Sequence, residues 1–158
     1  MGDRNKLISW IQDVGSWENT RPNIVAVIDY VKQQYKCDIF GIFGFCWGGK
    51  VAVSAAQDLS LGFRAAALIH PSFNNENDAK TVKVPLLVMP SKDEPEFGPF
   101  MGNLSLAVKE QSEHYRFDDM SHGFCGARGD LKDAHVLKRI CEANTYTIQF
   151  FKKIFSKL

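Results

Sequence analysis

Three short stretches hold residues whose chemistry can combine. Gly44-Phe45-Cys46-Trp47-Gly48-Gly49 sets a thiol among glycines directly after the apolar run Ile39-Phe40-Gly41-Ile42-Phe43. Pro90-Ser91-Lys92-Asp93-Glu94-Pro95-Glu96 follows a second apolar run and offers carboxylates. Asp118-Asp119-Met120-Ser121-His122-Gly123-Phe124 follows the strand expected at Glu113 to Phe117 and offers an imidazole. In that chain order they supply a nucleophile, an acid to orient a base, and the base. Asp93 is the first choice for the acid, with Glu94 and Glu96 as close rivals; a solvated acidic loop is the competing reading. His122 is the candidate base. His70 closes a strand before Pro71 and reads as a packing or site-wall residue, while His114 and His135 fall within a strand and a helix.

The spacing around Cys46 has a mechanical meaning. A nucleophile on a sharp turn between strand and helix is presented at the carboxyl end of a sheet, and flanking glycines let the two elements approach closely. The amide of Trp47, next in the chain, then lies at the helix N-terminus and can donate to an oxyanion. The helix dipole there favours a thiolate at Cys46. The competing reading is a buried structural cysteine at an ordinary strand–helix turn. A phosphate-binding loop is disfavoured, because neither G-x-G-x-x-G nor G-K-[ST] is present.

The elements that must position these residues alternate. Arg21 to Tyr35 reads as a helix with Pro22 in its first turn. Asp38 to Phe45 is a buried strand, Gly48 to Asp58 a small-residue helix, and Ala65 to His70 and Val84 to Met89 are further strands. Phe100 to Glu110 reads as a helix, Glu113 to Phe117 as a strand, and Asp130 to Phe155 mostly as one long helix. Strands alternating with helices imply an α/β fold, a mostly parallel sheet of about four strands flanked by helices.

Composition narrows the classes. The 158 residues suit one domain, and 45% hydrophobic with 23% charged residues is ordinary globular usage. A net charge of +1 gives no basic stripe for nucleic acid or an anionic membrane. No apolar run is long enough to span a bilayer. The Met1-Gly2 start lacks the Ser or Thr of an acylation signal, since Lys6 stands there. Cys37, Cys46, Cys125 and Cys141 form no C-x-x-C pair, which argues against a zinc site or disulfide framework and for reduced thiols in the cytoplasm.

The cysteine hexapeptide, His70-Pro71-Ser72, the Asp93 loop and His122-Gly123-Phe124 together resemble the dienelactone hydrolase (carboxymethylenebutenolidase) family of α/β-hydrolases, from about Trp17 to about Phe151. The resemblance implies a Cys46–Asp93–His122 triad acting on small-molecule esters or lactones through a thioester acyl-enzyme, with no metal or organic cofactor. It also implies that Arg128, shortly after the histidine, holds a substrate carboxylate; a solvent-exposed Arg128 is the alternative. The chain departs from the family pattern at its front, where only two helical stretches precede Cys46. The expectation is therefore a single, N-terminally truncated α/β-hydrolase domain over residues 1–158. The missing strands would have supplied a second oxyanion donor and covered the edge at Ile39 to Phe43. That edge is then expected to be covered by the N-terminal helices or by a second copy in a homodimer. Alternative readings are a catalytically weak remnant serving as a binding or assembly module, a fragment of a larger hydrolase, and a redox-sensing protein using Cys125. Trp47, Phe73, Phe97, Phe100 and Phe124 either line an apolar pocket or belong to the core.

Overall fold

The strand that leads into the cysteine turn, β1 (Phe40–Phe45), lies at one edge of a four-stranded parallel sheet. The others are β2 (Phe63–Ile69), β3 (Leu86–Met89) and β4 (Glu113–His114), in the spatial order β1-β2-β3-β4. Ile42 pairs with Ala66, and Leu68 with Val88. The computed structural model describes residues 4–157. The Met1-Gly2 start, read above as no acylation signal, lies outside them.

Side chains alternate across a strand, so each central strand feeds two cores. Ala66, Leu68, Leu86 and Val88 face a cluster built with α3 (Trp47–Gln57), α4 (Gly98–Gly102) and α5 (Leu106–Lys109). Ala65, Ala67, Ile69, Leu87 and Met89 face a cluster built with Phe117, Phe124 and α6 (Ala134–Phe155). The alanines of β2 leave room for bulky partners: Phe150 of α6 is almost fully buried. This is the α/β architecture that the alternating pattern predicts. Among the described residues no helix is long and apolar enough to cross a membrane.

The described residues form two compact units, one ending at Asp38 and the other starting at Ile39. The first holds α1 (Arg4–Gln12) and α2 (Trp17–Tyr35). Ser16 caps α2 by accepting from the Asn19 amide, so the helix begins before Arg21 and Pro22 sits inside it rather than in its first turn. The second holds the whole sheet. There the expected helix at Phe100 to Glu110 is two short ones, because Gly102 and Asn103 favour a stop over continuation. The Asn103 side chain instead donates to the Glu76 carbonyl. The expected strand at Glu113 to Phe117 is regular only at its first two residues, with an isolated bridge between Phe117 and Ser91 further on.

Ile39, Phe43 and Phe45 on and beside β1 remain 37–55% exposed. Gly41 on the same strand has α6 directly over it, where an added Cβ would lie 2.4 Å from the Phe151 ring.

Candidate active site

Cys46 terminates β1 with φ 55° and ψ −123°, a conformation that side chains seldom adopt. Three hydrogen bonds hold it there. Its amide donates to Ile69 at 3.2 Å, and its carbonyl accepts from Gly49 at 3.0 Å and from Ser72 at 2.9 Å. Two of these tie the turn to the end of β2, so the neighbouring strand maintains the strain. His70 and Phe73, at that same end of β2, also have positive φ, 37° and 64°. The turn at Cys46 and the end of β2 that it is bonded to thus both hold non-glycine residues in strained conformations.

The turn works because of Gly44. A Cβ there would lie 2.0 Å from the carbonyl oxygen of Gly48, so only glycine lets α3 begin this close to its strand. Gly49 meets Pro71 in the same way, whereas Gly48 has open space around it. Trp47 is the first residue of α3, so its amide lies at the positive end of that helix.

His122 lies across from this turn, on the loop after β4. Its Nε2 is 3.0 Å from Cys46 Sγ, and its Nδ1 is 2.6 Å from Glu94 Oε1. Asp93 Oδ2 instead accepts from the backbone amide of His122 at 2.8 Å. The structure thus separates two adjacent carboxylates: Glu94 faces the imidazole, and Asp93 fixes the backbone that carries it. This geometry differs from the expectation that Asp93 faces Nδ1. Consecutive residues in extended or turn backbone point in different directions, so the residue type alone left the two interchangeable.

Glu94 is buried, and its second oxygen accepts from the Ser91 amide; Asp93 and Glu96 are exposed. The Asp93 amide in turn donates to Ser91 Oγ at 3.3 Å. Ser91-Lys92-Asp93-Glu94 is therefore an S-x-x-E sequence whose glutamate reaches back to the serine amide, as in a capping box. That signal was available in the sequence and points to Glu94.

His70 forms one wall. It is 2% exposed, and neither ring nitrogen has a partner among the described residues. Its ring packs edge-on to His122 with centroids 5.1 Å apart, and against Phe45 and Phe124. Burial, reinforced by the neighbouring His122, lowers its pKa to about 4, so it is neutral at physiological pH. Ser72 Oγ lies 3.8 Å from Cys46 Sγ. Arg128 is exposed; its aliphatic stem lies over Gly123, next to His122.

Of the aromatic candidates, Phe97, Phe100 and Phe124 belong to the cores and Phe73 is exposed. The loops after β2 and β3 also enclose a cleft of about 220 Å³, lined by Asn74, Glu76, Glu96, Phe97 and Phe100 among others. Cys125 packs against the α6 cluster, and burial pushes its thiol up to about 12, which removes it from thiolate chemistry near neutrality. No group of three or more His, Cys, Asp or Glu side chains among the described residues could hold a metal ion.

The model of the dienelactone hydrolase family matches residues 3–155, nearly the whole chain. The chain belongs to that family. An uncharacterized AIM2 family protein of Schizosaccharomyces pombe is 30% identical over 146 residues, covering 84% of this chain and 54% of its own length. A human carboxymethylenebutenolidase homolog is 28% identical over 138 residues, 78% of this chain and 51% of the relative. A Talaromyces stipitatus protein named hydrolase tropI is 25% identical, over 86% of this chain and 54% of its own. The chain thus spans about half the length of the curated relatives it matches. Among solved structures, a dienelactone hydrolase-like promiscuous phosphotriesterase from metagenomic libraries superposes with a TM-score of 0.59 at 15% identity, over 96% of this chain and 66% of that one. That likeness establishes the fold, a dienelactone hydrolase-like α/β-hydrolase sheet. Membership makes this a chain of a hydrolase family.

Proposed function

We propose that the chain hydrolyses small-molecule carboxylic esters or lactones, with Cys46 as nucleophile, His122 as general base and Glu94 as the carboxylate that orients the base. The observation that carries this reading is the continuous contact from sulfur to carboxylate: 3.0 Å on one side of the His122 ring and 2.6 Å on the other. Glu94 fixes the proton on Nδ1 and leaves Nε2 to accept from the thiol. Asp93, bonded to the His122 amide, sets the depth of the ring.

In the first step Nε2 takes the Sγ proton and the thiolate attacks the carbonyl carbon. The oxyanion is stabilised at the start of α3, where the Trp47 amide is the donor in this reading. Collapse expels the alcohol, protonated by Nε2–H, and leaves a thioester on Cys46. Water, deprotonated by the same nitrogen, then releases the acid. A lactone follows the same course, its alcohol remaining attached to the acyl group. We also assign Arg128, whose stem lies over Gly123, to an anionic substrate group. The names of the relatives, carboxymethylenebutenolidase homolog and hydrolase, are consistent with such substrates. We place the reaction in the cytosol, where a catalytic thiol stays reduced.

The exposed apolar side chains of Ile39, Phe43 and Phe45 along the β1 edge favour a second reading, a binding or assembly module that keeps the site without turnover. Hydrolysis of a p-nitrophenyl acyl ester by the wild type and four variants separates the two. Cys46→Ala and His122→Ala are expected to abolish turnover. Glu94→Gln is expected to lower kcat about a hundredfold or more, and Asp93→Asn less than tenfold. Turnover that survives Cys46→Ala, or that is absent from the wild type, removes the hydrolase reading. A larger loss from Asp93→Asn than from Glu94→Gln returns the orienting role to Asp93.

A further inference from the structure

Arg116 lies six residues before His122, on the segment that leads from β4 to the histidine loop, and its side chain is 17% exposed. Its guanidinium reaches across to the loop after β3. Nη2 donates to the carbonyl of Glu94 at 3.0 Å and to that of Lys92 at 3.3 Å, and Nη1 to that of Pro95 at 3.2 Å. Nε donates to Asp118 at 2.7 Å on its own segment and lies 3.6 Å from Glu96. The three carbonyls bracket Asp93 and Glu94, the two carboxylates that meet His122.

Resting on the hydrolase reading above, we propose that Arg116 is the positioning residue of this site, its guanidinium clamping the loop at residues 92–95 so that Glu94 meets the imidazole and Asp93 meets the His122 amide. Two features of the geometry carry this. First, the acid and the base sit on different loops, 28 residues apart in sequence, and each needs a placement within a few tenths of an ångström. Among the described residues a single bond between two backbone groups joins the 92–95 segment to the histidine loop, from the Lys92 amide to the Met120 carbonyl at 3.1 Å. Second, three carbonyls and a carboxylate at fixed directions match a planar fork of five N–H donors. A lysine ammonium is a single point donor and cannot hold all of them. The loop is also rich in negative charge, with Asp93, Glu94, Glu96 and Asp118 nearby. The delocalised cation offsets their mutual repulsion.

The test uses two readouts on the full chain, wild type against Arg116→Ala and Arg116→Lys. One is kcat and KM on a p-nitrophenyl ester; the other is the rate of Cys46 alkylation by iodoacetamide as a function of pH. Arg116→Ala is expected to lower kcat about tenfold or more with KM within about threefold, and to slow Cys46 alkylation at neutral pH. Guanidinium chloride at about 20 mM, far below denaturing concentrations, is expected to restore part of both. Arg116→Lys is expected to fall between the two. Lys153→Ala, which removes an ion pair to Glu113 elsewhere on the surface, is the control and is expected to leave both readouts unchanged. A wild-type alkylation profile in Arg116→Ala overturns the proposal. So does full recovery in Arg116→Lys, which would show that charge suffices without the fork. If Arg116→Ala does not fold, the Lys variant and its response to guanidinium decide the matter alone. A wild type without ester hydrolysis would sink the proposed function, yet the alkylation profiles would still support or overturn the role of Arg116.

Discussion

His70 and Glu94 are both buried beside His122, and their environments give them opposite characters. Glu94 has a partner at each carboxylate oxygen, the Ser91 amide and His122 Nδ1. His70 has no partner for either ring nitrogen, so charging it in place would leave an unsolvated cation next to His122. Its pKa therefore falls to about 4, first through burial and then through His122, from an ordinary value of 6.5. The sign of the linkage follows. Between pH 6.5 and 4 the unfolded chain binds a proton that the folded chain refuses, so His70 makes the fold less stable as pH falls. That contribution reaches on the order of 2 kcal/mol by pH 4.5. His70→Phe keeps an aromatic wall and removes the titration. Urea midpoints at pH 7.5 and pH 4.5 are expected to differ less in this variant than in the wild type; equal differences would show that His70 accepts its proton without cost.

At the scale of elements, the junction of β1 and α3 depends on backbone approach rather than on side-chain chemistry. The glycines of the hexapeptide are not equivalent, although the sequence presents them alike. A methyl group at Gly44 has no space, because the Gly48 carbonyl is 2.0 Å from where it would sit, whereas one at Gly48 meets nothing. Gly44→Ala is expected to cost about 3 kcal/mol or more, since the clash is with backbone and neither element can yield alone. Gly48→Ala is expected to be neutral or to stabilise by about 0.5–1 kcal/mol, because it removes glycine's entropy penalty within a helix. Chemical denaturation of the two variants tests the contrast, and comparable losses from both would mean that the junction is not governed by close approach. Any displacement of α3 at this junction moves both Cys46 and the helix terminus proposed to face the oxyanion.

For the molecule as a whole, the site depends on the face of the sheet opposite α3. Phe117, Met120 and Phe124 bracket the histidine loop and are buried in the cluster that α6 completes through Ala143, Phe150 and Ile154. Removing the Phe150 ring is therefore expected to loosen the seat of His122 as well as the core. Phe150→Ala should destabilise the fold by about 3–5 kcal/mol, against less than about 0.5 kcal/mol for Gln149→Ala at an exposed neighbouring position. A urea titration of each measures this, and a small loss for Phe150→Ala would mean that α6 packs too loosely to hold the loop. The four strands of this sheet bring the cysteine, the carboxylates and the histidine to one end.

Much of this arrangement is local and was legible in the residues alone. The strand–turn–helix around Cys46, the alternation of strands and helices, and the order cysteine, carboxylates, histidine all follow from near neighbours and apolar spacing. The family resemblance rests on the same residues. The tertiary structure decided what depends on direction and on distant partners. Cys46 and His122 meet across 76 residues of sequence, and Glu94 rather than Asp93 turns toward the ring because one step along a loop redirects the side chain. That both ring nitrogens of His70 lack partners, and which carbonyls Arg116 reaches, depend on packing around them and not on residue type. The hexapeptide fixes where the Cys46 thiol stands; only the folded sheet fixes what faces it.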